Sequence, residues 1–212
     1  MDTPAVPLRE RLAPALADLL GGPLEKRAFT IAVRRRLLAP AEGRVLEVGA
    51  GPGFNLPHYP SGIGELVVTD GLDGMLPLAR RRAERAGREI ATIQAPVEHL
   101  PFEDGSFDTV VGSLLLCSVD DQDRALAEIR RILRPEGRYL FLEHVRSRDP
   151  KLARRQDRLE RLWHAVTFGC HPNRETLERI ESAFDVEELE QGALPAGPRI
   201  VRPYVLGRAR AR

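Results

Sequence analysis

A short apolar run from Arg44 to Val48 leads directly into the turn Glu47-Val48-Gly49-Ala50-Gly51-Pro52-Gly53-Phe54-Asn55, and no other feature constrains the chain as much. An apolar run that stops at clustered glycines reads as a buried strand ending at a ligand. Glycine lets the backbone turn sharply and approach a bound molecule closely. In an open α/β sheet that molecule lies beyond the carboxyl ends of the strands, beside the first one.

The rest of the chain supports such a sheet. Further strands are expected at 65–69, closed by Asp70, and at 89–94, 107–112 and 138–143. Helices are expected at 76–86 and 122–133, where Ala125, Leu126, Ile129, Ile132 and Leu133 form one face. Strands alternating with helices predict an α/β fold with a mostly parallel sheet and helices on both faces. Two further helices are predicted at 151–166 and 174–184. The apolar side of the first carries Leu152, Leu159, Leu162, Trp163 and Val166. Segments 186–189 and 204–207 read as two more strands, joined by a loop at 192–198. Ahead of the first strand, 8–20 and 24–38 show helical periodicity, separated by Gly21-Gly22-Pro23. Arg34-Arg35-Arg36 reads as a solvated face of the second segment.

Gly49 and Gly51 fit the first two positions of a dinucleotide fingerprint, but Phe54 stands at the third and Gly53 comes one residue early. Glu47, just ahead of the turn, disfavours a pyrophosphate. A cofactor with a sulfonium and an ammonium suits an acidic, carbonyl-rich turn better, which favours S-adenosylmethionine (SAM) over NAD. Asp70, about 20 residues on, is placed to accept ribose hydroxyls.

These residues resemble class I SAM-dependent methyltransferases of the type 11 group, and more narrowly the small methyltransferase-like thiol S-methyltransferases. The matching segments include Val45–Gly53, Asn55 with Tyr59-Pro60-Ser61-Gly62, Asp104-Gly105-Ser106-Phe107-Asp108 and Leu116-Cys117-Ser118-Val119. They continue with Arg131–Gly137, Leu142-Glu143-His144-Val145, Gly169-Cys170, Arg174 with Thr176, and Val201-Arg202-Pro203. The resemblance implies a Rossmann-like seven-stranded sheet with the last strand antiparallel. It also implies cofactor roles. Glu47, Gly49, Ala50, Gly51, Gly53 and Asn55 would shape or line the methionine end, and Asp70 would hold the ribose. Gly71 and Met75 would flank the adenine, Val97 and Glu98 would border its edge, and Ser113 and Leu114 would present carbonyls near the sulfonium. Two departures stand out. Pro96 replaces the acid that many relatives use for the adenine amino group, and the hydrophobic leader of the thiol-methylating relatives is not found. The extension 1–43 would cover an acceptor pocket, ahead of a core at 44–212.

Methyl transfer from a sulfonium needs alignment more than activation, and alignment alone supplies roughly 7–11 kcal/mol. A thiol with a pKa of about 8.5 needs little base. His144, after the fifth strand, is the candidate catalytic residue, as a base or an acceptor orienter. The expected substrate is a small-molecule acceptor, best a thiol. An O- or N-methyltransferase of a natural product or lipid, an NAD-linked oxidoreductase and a non-enzymatic SAM-binding module stay open as alternatives.

Charge and cysteine usage exclude other classes. With 32 basic and 31 acidic residues, the net charge of +1 provides no field for nucleic acid. No apolar run reaches the ~20 residues of a membrane span, and no signal peptide is evident, so integral membrane association is not expected and a cytoplasmic location is. Cys117 and Cys170 are far apart in sequence and the five histidines show no ligand spacing, so no metal site is expected.

Overall fold

The computed structural model describes residues 27–167 and 169–212, together with 14, 16, 17, 19 and 21–23. The described elements are α1 (Ala28–Leu38), β1 (Val45–Val48), β2 (Leu66–Asp70), α2 (Leu76–Arg85), β3 (Ala91–Gln94), β4 (Phe107–Ser113) and α3 (Gln122–Ile132). They continue with β5 (Leu133–His144), α4 (Pro150–Val166), α5 (Thr176–Ala183), β6 (Phe184–Ala193) and β7 (Pro203–Ala211). The strands form one sheet in the order β3-β2-β1-β4-β5-β7-β6. β1 to β5 are mutually parallel, and β7 runs antiparallel between β5 and β6. The predicted doubly covered sheet with an antiparallel last strand is what the chain forms.

Alternation along the strands explains why both faces are covered. Leu46, Val48, Val67, Val110, Tyr139 and Phe141 point to one side, where α3 and α5 bring Leu126, Ile129 and Ile180. Val45, Leu66, Val68, Val111, Leu140 and Leu142 point to the other, against Val33, Leu37 and Leu38 of α1 and Leu76, Ala79 and Ala83 of α2. Successive side chains on a strand face opposite ways, so the near-continuous apolar runs β1 and β2 must be sandwiched. Asp121 caps α3 by accepting from the Arg124 N–H at 3.0 Å, and Asp149 caps α4 through the Lys151 N–H at 2.9 Å.

Three expectations need correction. The third strand starts at Ala91 instead of Glu89 and lies at the sheet edge. Gly21-Gly22-Pro23 is helical, not a break. The chain changes direction by Arg27, whose backbone is extended at φ −75° and ψ 135°. Of the first predicted helix, residues 14, 16, 17 and 19 are helical and the others lie outside the described residues. Finally, α4 does not bury the expected stripe: Leu159, Leu162 and Val166 are exposed. The buried anchor is Gln156, which donates to the Val145, Pro172 and Ile200 carbonyls at 3.1, 2.7 and 2.9 Å and accepts from the Ser147 N–H at 2.8 Å. One polar side chain thus ties the helix to three loops, a link that apolar periodicity does not register. Among the described residues no helix is long and apolar enough to cross a membrane.

Candidate active site

At the carboxyl ends of β1 and β2 the glycine turn folds over the sheet edge. Gly49, Gly51 and Gly53 all take positive φ, at 59°, 55° and 82°, a region closed to most side chains. Their surroundings differ. A Cβ on Gly49 would meet Leu115 Cδ1 at 2.3 Å, and one on Gly53 would meet Leu56 Cδ1 at 2.6 Å and Ala79 Cα at 2.9 Å. Those two glycines let the turn pack. A Cβ on Gly51 would meet nothing within 4 Å, so that side of the turn is open. The Ala50 N–H bonds the Thr69 carbonyl at 3.0 Å and locks the turn to β2.

Asp70 ends β2 beside this turn. One carboxylate oxygen accepts from the Gly51 N–H and the other from the Leu72 N–H, both at 2.8 Å. Burial raises its pKa above the usual carboxylate value, and the two N–H groups counter that. Each oxygen keeps a further lone pair for a hydroxyl donor. Around Asp70 lies an open cleft of about 420 Å³. Seven of the expected cofactor residues line it: Gly49, Asp70, Gly71, Met75, Val97, Glu98 and Leu114. Pro96, expected at the adenine edge, lines it too, and so do Leu72, Leu115, Ser118, Asp120 and Thr167, which were not anticipated. The last four follow β4 or α4, and only the closed sheet brings them to this edge. The Glu98 carboxylate also accepts from the Asp120 N–H at 3.1 Å, which joins two sides of the cleft.

Glu47 and Asn55 stand one layer behind the turn. Glu47 is 1% exposed, and its oxygens accept from Asn55 Nδ2 and Tyr59 Oη, both at 2.9 Å. Burial lifts its pKa to about 7, against the pull of these two donors and of Arg34. Arg34, from α1, donates to Asn55 Oδ1 and to Ser113 Oγ, the latter at 3.3 Å. The solvated arginine face therefore holds for Arg35 and Arg36 but not for Arg34, which is buried at the end of an Arg34–Asn55–Glu47–Tyr59 chain. Its spacing with Val33, Leu37 and Leu38 was a signal that it shares their buried side. This chain holds the turn from below, while Ala50, Gly51 and Gly53 give the turn its shape.

A second cavity, of about 270 Å³ and mostly apolar, lies on the other side of Leu114. Phe29, Thr30, Val33 and Arg34 of α1 line it, with Arg27, Leu114, Leu142, His144, Trp163 and the 194–198 loop with Val201. Leu114 borders both cavities and is the one non-glycine among the described residues with positive φ, at 57°. Such strain is held in place only by its surroundings; here the Leu114 N–H bonds the Leu142 carbonyl at 2.6 Å. The buried Glu143 carboxylate, accepting from the Leu115, Leu116 and Cys117 N–H groups at 3.0, 2.9 and 3.3 Å, braces the next residues. Burial pushes its pKa to about 7.

His144 ends β5 at this second cavity. Its Nδ1 lies 4.0 Å from Cys117 Sγ and 3.8 Å from Cys170 Sγ. The two cysteines, distant in sequence and expected to form no ligand cluster, are brought together with it. The three donor atoms lie within 4.8 Å of one another. The parallel β4–β5 register carries Cys117 and His144 to the same edge, and the α4–α5 connection adds Cys170. Trp163, expected in the core, is half-buried and walls the cavity.

Comparison with known proteins places the fold in a family. The model of a methyltransferase domain family covers residues 46–141. The chain is 34% identical to human thiol S-methyltransferase TMT1A over 169 residues, 78% of this chain and 69% of that protein. It is 33% identical to the phosphatidylethanolamine N-methyltransferase of Cereibacter sphaeroides, across 77% and 81% of the two chains. Among solved structures, N-methyltransferase NodS from Bradyrhizobium japonicum in complex with S-adenosylhomocysteine aligns over 95% of this chain and 96% of its own, with a TM-score of 0.72 and 18% identity. The chain belongs to the class I SAM-dependent methyltransferases. Its cofactor is SAM, and the cleft fits that molecule: an open face at Gly51, a carboxylate fixed by two amides, and Met75 and Val97 as apolar walls.

Proposed function

We propose that this methyltransferase transfers its methyl group to a small thiol or hydrosulfide held in the cavity between α1, His144 and Trp163. The observation that carries the reading is the charge of that cavity. Arg27 and Arg34 line it, and no described carboxylate does. Positive charge favours a thiolate over a thiol and disfavours an ammonium or protonated amine. The similarity to thiol S-methyltransferases supports the same acceptor.

SAM supplies an activated methyl group on a sulfonium. What this chain contributes is placement. Asp70 takes the ribose hydroxyls, Gly71 and Met75 flank the adenine, and Val97 and Glu98 border its edge. Glu47 and Asn55 act at one remove, by fixing the turn that carries Gly49 and Gly51. Ser113 and Leu114 form the partition across which the acceptor approaches in line. His144 orients the acceptor or takes its proton, leaving a thiolate that bound SAM would methylate. Of the extension 1–43, α1 walls the acceptor pocket, while residues 1–13 lie outside the described residues. The similarity to a phosphatidylethanolamine N-methyltransferase favours a second reading, an amine on a lipid headgroup.

A coupled assay of S-adenosylhomocysteine release over matched thiols, amines, phenols and carboxylates decides between them. Turnover is expected with thiols. Turnover with an amine or phenol and with no thiol would overturn the acceptor assignment and leave the methyltransferase intact.

A further inference from the structure

Cys117, His144 and Cys170 come from three separate segments: the loop after β4, the last residue of β5, and the connection between α4 and α5. Methyl transfer as proposed above uses neither cysteine. No covalent intermediate is needed when the methyl passes directly to its acceptor. The pair nevertheless converges on one imidazole nitrogen, with both sulfurs buried.

The spacing fits a cation. In tetrahedral zinc sites the metal lies about 2.3 Å from sulfur and 2.0–2.1 Å from nitrogen, so ligand atoms bound to one ion are about 3.6–3.8 Å apart. The Nδ1 to sulfur distances are 3.8 and 4.0 Å, and no pair in the trio exceeds 4.8 Å. Side-chain adjustments of a few tenths of an ångström bring the nitrogen–sulfur edges to bonding geometry. The sulfur–sulfur edge needs at most about 1 Å.

Ligation also requires thiolates. Arg174, which bonds the Leu116 and Val119 carbonyls at 2.8 and 2.7 Å, supplies nearby positive charge, and Glu143 supplies a buried carboxyl next to His144. Two thiolates against a divalent ion leave no net charge to bury. Two sulfurs and an imidazole select zinc-like or cuprous ions over magnesium or calcium.

We infer that Cys117, His144 and Cys170 form a binding site for a thiophilic, zinc-type divalent cation at the edge of the acceptor cavity. Three protein ligands leave a fourth position, as in catalytic rather than structural zinc sites. With Nδ1 on the ion, the His144 ring keeps only Nε2 for the acceptor side. The inference rests on the cluster alone and stands whether or not the acceptor is a thiol.

The test uses the full chain, reduced and stripped of metal, titrated with Co²⁺ in the absence of SAM. One equivalent is expected to produce a sulfur-to-cobalt charge-transfer band and ligand-field bands of four-coordinate intensity, and zinc should displace it. Cys170→Ser and His144→Ala, checked for folding by circular dichroism, should each weaken Co²⁺ binding by roughly 100-fold or more. Should Cys117→Ser not fold, those two variants decide. Absence of a charge-transfer band in the reduced protein overturns the site. So does a band that survives both Cys170→Ser and His144→Ala. A reduced protein that binds no Co²⁺ but joins Cys117 to Cys170 on mild oxidation also overturns it, in favour of a disulfide pair.

Discussion

The two cavities that meet at Leu114 are built in opposite ways. The proposed cofactor cleft is open and rests on local chain. Its turn, Gly49–Gly53, and its carboxylate, Asp70, lie about 20 residues apart on adjacent strands and are tied by the Gly51 N–H bond to Asp70. The cavity proposed for the acceptor is mostly apolar and is assembled from α1, the ends of β4 and β5, α4 and the loop before β7. The contrast follows from the task. A cofactor common to a superfamily is met by backbone geometry, which glycine spacing encodes. An acceptor particular to one enzyme is met by side chains from wherever the fold delivers them.

The strongest test of the contrast is Gly51→Val. It adds a branched side chain where the turn is open and where φ is positive. The folded variant should lose SAM binding by at least about 100-fold, given bulk in the cofactor space and strain in the turn. Calorimetry showing normal affinity would mean that the cofactor lies elsewhere. His144→Ala addresses the other cavity. Turnover should fall by roughly 100-fold, the low end for a proton-transfer group, while SAM affinity stays within about twofold. A pH–rate profile with a thiol of known pKa separates the roles: if wild type and variant both follow the thiolate fraction at similar rates, His144 is structural.

A smaller effect is expected at Asp70→Ala. Loss of a charge-assisted partner for the ribose is worth about 1.5–3 kcal/mol, so SAM should bind more than tenfold more weakly by calorimetry. Asp70→Asn, which retains one acceptor oxygen for the turn, should fall between. An unchanged dissociation constant for both would remove Asp70 from the site.

The last effect is a pH dependence from the layer beneath the turn. Glu47 has a pKa near 7 in the fold against 4.5 unfolded, because burial disfavours its charge. A carboxyl raised in this way stabilises the fold fully below its unfolded value, and that contribution is lost as pH rises through the folded one. Glu47→Gln keeps an oxygen for Asn55 and removes the titration. Between about pH 5 and 8 the wild type should therefore lose stability relative to the variant. Denaturant midpoints that run in parallel over that range would show that Glu47 is not held near neutrality.

Much of the fold was legible because sheet faces and helix faces leave periodic marks. Val45–Val48, Leu66–Asp70 and the α3 stripe each carry a pattern that only one burial geometry satisfies. Half of the candidate site was equally legible, since positive φ at the turn demands glycine in the sequence itself. Gln156 and the thiol pair left no comparable mark, and Arg34 only its spacing with Val33, Leu37 and Leu38. Arg34 sits in a run of three arginines, and burial of one alone depends on Asn55 arriving from the turn after β1 and Ser113 from the end of β4. Gln156 looks like any polar helical residue until three loops close around it.

What the sequence determined by itself is the strand-and-turn grammar of a SAM cleft, because backbone dihedrals and side-chain alternation are properties of neighbouring residues. What only the tertiary structure decided is which distant side chains share a space: Leu114 as the wall between two cavities, Glu47 as a brace behind the turn, and Cys117, His144 and Cys170 around a common centre. Those placements depend on the β4–β5 register and on where α4 and α5 dock. They are set by the packing of the whole sheet and by no local pattern.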